Sequence, residues 1–176
     1  MAIVGLGLGT EGSLYRLLLL LHIGCAVLGF GALAFNGVLR LRARDHDGDV
    51  ELFILDENAF VTRIAEYLVY GVLVFGLLVS LTSQSEWLPS QSWLSLSILL
   101  YMIELGLLHG IIHRKEREYR SLLRKVNAGR ADDTSDEVAQ LERLEQQISW
   151  GWGAFDVVFL VILYLMVFTP GHLRVG

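Results

Sequence analysis

The sequence predicts an all-α protein: a four-transmembrane-helix antiparallel bundle with a cytoplasmic helical hairpin extending spans three and four. Three observations predict it. Apolar runs occupy residues 17–39, 64–81, 93–112 and 153–168. Each is close to the ~20 residues that carry a helix across a bilayer core at about 1.5 Å per residue. The hydrophobic fraction is 53%, and the mean hydropathy of +0.51 is that of a membrane class. Finally, all but Arg16 and Arg174 of the fourteen basic residues lie in the segments after runs one and three or beside them.

That third observation sets the orientation. Arg40, Arg42, Arg44 and Arg63 flank the first connection. Arg114, Lys115, Arg117, Arg120, Arg124, Lys125, Arg130 and Arg143 fill the third, and residues 82–92 hold none. The positive-inside rule then puts both termini outside and connections one and three in the cytoplasm of a bacterial inner membrane. Trp87, Trp93, Trp150 and Trp152 stand near run ends as interfacial anchors. The first run is too long for a signal-peptide core and is not preceded by a positive segment, so it reads as an uncleaved span. The chain forms a single integral membrane domain, 1–176, with spans near 15–39, 62–82, 93–113 and 150–169.

Composition excludes several function classes. A net charge of −5 opposes nucleic-acid binding, which needs a basic surface. One cysteine, Cys25, excludes a disulfide framework. Asp45-His46-Asp47-Gly48-Asp49 places glycine fourth, where a calcium loop needs it sixth, and reads as a solvated acidic turn. No catalytic constellation and no metal cluster stand out, and no nucleotide, phosphate or nucleophile motif is present.

The third connection, 114–149, reads as two helices. Strong helix formers run from His113 to Val126, and Gly129 suits a C-terminal cap. Thr134 with Glu137 has capping-box spacing. Val138, Leu141, Leu144 and Ile148 make an apolar stripe able to lie on Tyr119, Leu122, Leu123 and Val126. The first arm is basic and the second acidic, through Asp136, Glu137, Glu142 and Glu145.

Polar side chains within the runs are the candidate functional residues, since ionisable groups in lipid are costly and face the bundle interior. His22, Cys25, Gly29, Ala32 and Asn36 share one face of span one. In span two, Arg63, Glu66, Tyr70, Leu73, Leu77 and Ser80 form a second stripe. Ser97, Tyr101 and Glu104 lie on one face of span three, and Gly106, His109, Gly110 and His113 on another. Depth counting puts His22 roughly 8–11 Å and Glu104 roughly 16 Å from the outer boundary, with Glu66, His109 and Asp156 roughly 3–9 Å from the inner one. Two clusters follow: His22 with Tyr101 and Glu104, and Arg63 with Glu66, His109 and Asp156. They would tie helices together, or relay protons through His22, Glu104, Glu66 and Asp156. A third alternative is haem b or copper on His22, with Met102 at a similar level; no cofactor is the leading expectation. Expected partners are the lipid bilayer and other membrane subunits or further copies of the chain.

The run Leu20-Leu-His22-Ile-Gly-Cys-Ala-Val-Leu-Gly-Phe-Gly-Ala-Leu-Ala-Phe35 is similar to the opening helix of an uncharacterised bacterial family of predicted integral membrane proteins (domain of unknown function 2269). Trp93-Leu-Ser-Leu-Ser-Ile-Leu-Leu-Tyr101 and Tyr164-Leu-Met-Val-Phe-Thr-Pro170-Gly171 resemble its third and fourth helices. This resemblance implies four helices and no assigned activity. The early histidine also distantly resembles copper-resistance and protoporphyrinogen-oxidase-like haem membrane proteins, where the first-helix histidine is functional. Only His22 matches, and Gly29-Phe30-Gly31 replaces their aromatic-Gly-Gly step. The sequence therefore leads to a non-enzymatic accessory or scaffold subunit, with redox and transport readings as its rivals.

Overall fold

The structure is a computed structural model that describes residues 9–43, 45–46, 48–83, 91–129 and 134–168. Every element among them is helical: α1 (Ser13–Ala43), α2 (Gly48–Thr82), α3 (Ser92–Leu107), a π-helical turn (Leu108–Ile112), α4 (His113–Asn127) and α5 (Thr134–Phe168). Four helices, Ser13–Ala43, Gly48–Thr82, Ser92–Asn127 and Ser135–Phe168, are long and apolar enough to cross a membrane. Side chains such as Leu20, Val27 and Leu28 on α1 are largely exposed, as a lipid-facing surface requires. Two compact units emerge, one of residues 1–38 and 57–95, the other of 39–56 and 96–176.

The first unit is built on the pairing of α1 with α2. As α1 advances its contacts on α2 retreat, which makes the pair antiparallel. His22 meets Val72 and Gly76, Cys25 meets Gly71, Gly29 meets Leu68 and Val69, and Asn36 meets Thr62. Small residues allow this approach. A Cβ on Gly29 would fall 3.1 Å from Leu68 Cβ and 3.2 Å from the Val69 backbone nitrogen. Lipid offers no hydrophobic force between spans, so close van der Waals packing and interhelical hydrogen bonds must hold them. The polar face expected on span one is thus the seam. On α2 the buried positions are Asn58, Thr62, Ala65, Val69 and Val72, at alternating steps of four and three. Of the stripe expected in span two, Arg63, Tyr70 and Leu77 are exposed, Glu66 and Leu73 are half-buried and Ser80 is buried. The tightest packing follows the side chains that the α1 seam can accommodate.

In the second unit, α4 packs on α5. Tyr119, Leu122 and Leu123 are buried on α4, and Leu144 and Ile148 on α5. Val138, expected in the same stripe, is 45% exposed. Gly129 adopts φ +62°, the left-handed conformation that ends a helix and favours glycine. Its N–H donates to the Val126 carbonyl at 3.0 Å. The first connection is shorter than expected: α1 reaches Ala43 and α2 begins at Gly48, so Gly48 and Asp49 of the acidic turn, and the residues from there to the expected start of span two near 62, are helical. The tryptophans divide. Trp150 is 74% exposed, as an anchor would be. Trp152 is buried and donates its indole N–H to Glu116 at 3.1 Å. Trp93 donates to Gln91, and Trp87 lies outside the described residues.

Candidate functional site

In the first unit His22 is half-buried on the α1 face toward α2. Its Nδ1 lies 2.8 Å from the Val72 carbonyl oxygen. A carbonyl only accepts, so Nδ1 carries the hydrogen, and in the neutral ring Nε2 keeps its lone pair. Gly76 makes room for the ring: a Cβ there would come within 2.9 Å of His22 Cε1. About four helical turns toward the basic end, Asn36 Nδ2 donates to Thr62 Oγ1 at 2.6 Å, and Thr62 Oγ1 donates to the Asn58 carbonyl at 2.8 Å. Both ties are buried. Arg63 is exposed and Glu66 half-buried, and neither reaches His22's position: Glu66 precedes Val72 by six residues, about 9 Å along the helix.

In the second unit Tyr101 and Glu104 occupy the buried stripe of α3, with Ser97 one turn before them and Leu108 one turn after. Glu104 is only 1% exposed. Neither of its carboxylate oxygens has a hydrogen-bond partner among the described residues. Asp156, grouped by depth with Glu66 and His109, comes within electrostatic reach of Glu104. Its own side of α5 is exposed. His109 sits in the π-helical turn, exposed, with Nδ1 3.0 Å from the Leu105 carbonyl. Its ring stands edge-on to His113, centroids 5.3 Å apart. A π turn closes hydrogen bonds at i→i+5, here from the His113 N–H to the Leu108 carbonyl, and such turns recur at functional sites. Met102 is exposed on α3.

A polar network that the sequence reading missed lies beyond the spans in this same unit. The Arg40 guanidinium sits 3.7 Å from Glu116 Oε1 and 5.0 Å above the Tyr119 ring. Tyr119 donates its hydroxyl to Glu51 Oε1 at 2.7 Å. Burial raises the Tyr119 pKa, and the Glu51 carboxylate raises it further, so the phenol stays a donor. Arg120 and Arg124 both donate to Asp56, at 3.2 Å and 2.6 Å. Burial alone would raise the Asp56 pKa, but hydrogen bonds and charge from Arg124 and Arg120 hold it below its ordinary value. Two arginines of the basic arm thus share one carboxylate, Asp56, near the start of α2. The available signal was the apolar spacing of Leu55 with the later buried positions of α2, which continues a helix back through residues read as a loop.

No curated protein matches the chain, and no solved structure does. One family does, described as "Predicted integral membrane protein (DUF2269)", over residues 16–170. That stretch takes in every apolar helix described above, from the second turn of α1 to the end of α5, and the chain belongs to this family of integral membrane proteins.

Proposed function

We propose that the chain is a non-enzymatic component of a membrane complex, an accessory or scaffold subunit of the bacterial inner membrane with both termini outside. Asp156 carries the reading. It is exposed in an apolar span, beside Val157 and Leu160, which are 62% and 60% exposed. A carboxylate in the lipid-facing surface of a span costs about 2.5–3.5 kcal/mol at its centre and less toward the boundary, where Asp156 lies, so the cost here is a fraction of that figure. A neighbouring helix offering a cation or a hydroxyl removes that cost. The fourth span is therefore the face on which a second membrane protein, or a second copy of this chain, docks. Purification from native membranes in mild detergent tests it. A stoichiometric companion is expected with the native chain and is lost several-fold with Asp156→Ala. A chain that purifies alone and monomeric, with or without the substitution, overturns the reading.

A second reading, a haem- or copper-associated redox protein, is favoured by the hydrogen bond of His22. A ligating histidine donates its other ring N–H to a carbonyl or carboxylate and presents the free nitrogen to the metal. His22 has that arrangement, with Nδ1 on Val72. A haem or copper held at Nε2 would supply electron transfer, and the Val72 carbonyl would fix the ring's tautomer and orientation. A visible spectrum and copper analysis of protein from its native membrane are decisive. A Soret band or bound copper that His22→Ala removes supports this reading, and their absence in the native protein overturns it.

A further inference from the structure

We infer that α4 carries a binding groove for the phosphate headgroup of an anionic phospholipid in the leaflet on the basic side of the membrane. Arg117, Arg120, Ser121, Arg124 and Lys125 line one open groove. Their spacing of 0, 3, 4, 7 and 8 residues places all five on one helix face. Four cations and a hydroxyl lie there, and among the described residues Asp56 is the single carboxylate paired with them. The other acids of α4 are engaged elsewhere, Glu116 with Arg40 and Glu118 with Lys115. Arg117 and Lys125 are exposed and make no ion pair among the described residues.

Asp56 does more than subtract one charge. By accepting from Arg120 and Arg124 together it holds two guanidinium groups side by side, and the second nitrogens of each fork remain for a phosphate. Position selects the source of that phosphate. The third span ends near residue 113, so at about 1.5 Å per residue Arg117 stands about 6 Å and Lys125 about 18 Å beyond it. The headgroup layer is about 5–8 Å thick on each side. Side chains on a helix tilt toward its N-terminus, and the N-terminus of α4 is the end at the membrane. Arg117 and Arg120 therefore reach back into the headgroup layer, and Arg124 and Lys125 lean toward it from beyond. Clusters of four or more basic residues just beyond a span are the recognised setting for anionic headgroups.

Native mass spectrometry of the full chain in a neutral detergent, with equal phosphatidylglycerol and phosphatidylcholine added, tests the groove. Phosphatidylglycerol is expected to bind in clear preference. Each groove cation removed weakens it about fivefold, so Arg117→Gln with Lys125→Gln gives about 25-fold. The control pair Arg42→Gln with Arg143→Gln makes the same change in net charge outside the groove and moves binding less than about twofold. Equal binding of both lipids, or equal losses in both double variants, overturns the proposal. So does complete displacement of phosphatidylglycerol by inorganic phosphate at the same concentration, which would make this a site for a soluble anion.

Discussion

Glu104 is the side chain whose chemistry the structure leaves most exposed to test. It is buried, carries two carboxylate oxygens and finds no hydrogen-bond partner among the described residues. A polar group buried this way lowers stability, and replacing it with an apolar residue of similar size is neutral or stabilising. Glu104→Leu is therefore expected to hold or raise stability by up to about 2 kcal/mol, read as an unchanged or higher thermal midpoint in mild detergent. A drop of that size would show that Glu104 is a structural tie. Gly29 behaves in the opposite way: Gly29→Leu forces α1 off Leu68 and Val69 and should cost about 1–3 kcal/mol in the same assay. Asp56 gives a pH signature. Its folded pKa lies below the ordinary value, so its pairing contributes above about pH 4 and is lost as pH falls through the lowered value. The pair is partly exposed and worth under about 1 kcal/mol. The midpoint difference between the native chain and Asp56→Asn should be present at pH 6 and close toward pH 3. At this scale the sequence was informative about which residues are unusual, His22 and Glu104 among them. It was silent on pairing, because a ring's tautomer or a carboxylate's neighbour depends on side chains fifty or more positions away.

Elements were more legible than contacts. Four apolar runs, the Gly129 stop and the basic amphipathic arm follow from local composition and helical period, and the structure has them all. What local pattern could not supply was the rotation of α2. Its run is apolar nearly all round, and only close packing against Gly29 and Cys25 selects the face through Thr62, Ala65 and Val69. The hairpin shows the same division. Leu144 and Ile148 are buried as the stripe predicts, and Val138 is not. Ile148→Ala should therefore destabilise the α4–α5 contact by about 2–5 kcal/mol. Val138→Ala, on the same helix, should stay within about 0.5 kcal/mol. Equal effects on the thermal midpoint would show that the arms do not pack through that end.

For the whole molecule the claim that everything rests on is four helical crossings, with the basic ends gathered on one side of the bilayer. Length and hydropathy established the crossings, and the family match over residues 16–170 supports them. The even number of spans and the distribution of arginine and lysine predict the topology through the positive-inside rule. The docking face proposed at Asp156 and the headgroup groove proposed on α4 both depend on it. Single cysteines placed at Ser92 and at Ala128, in a Cys25→Ser chain, can be labelled in intact cells by a reagent that does not cross the membrane. Labelling at residue 92 and protection at residue 128 is the expected result; labelling at both, or at neither until the cells are opened, would contradict the account.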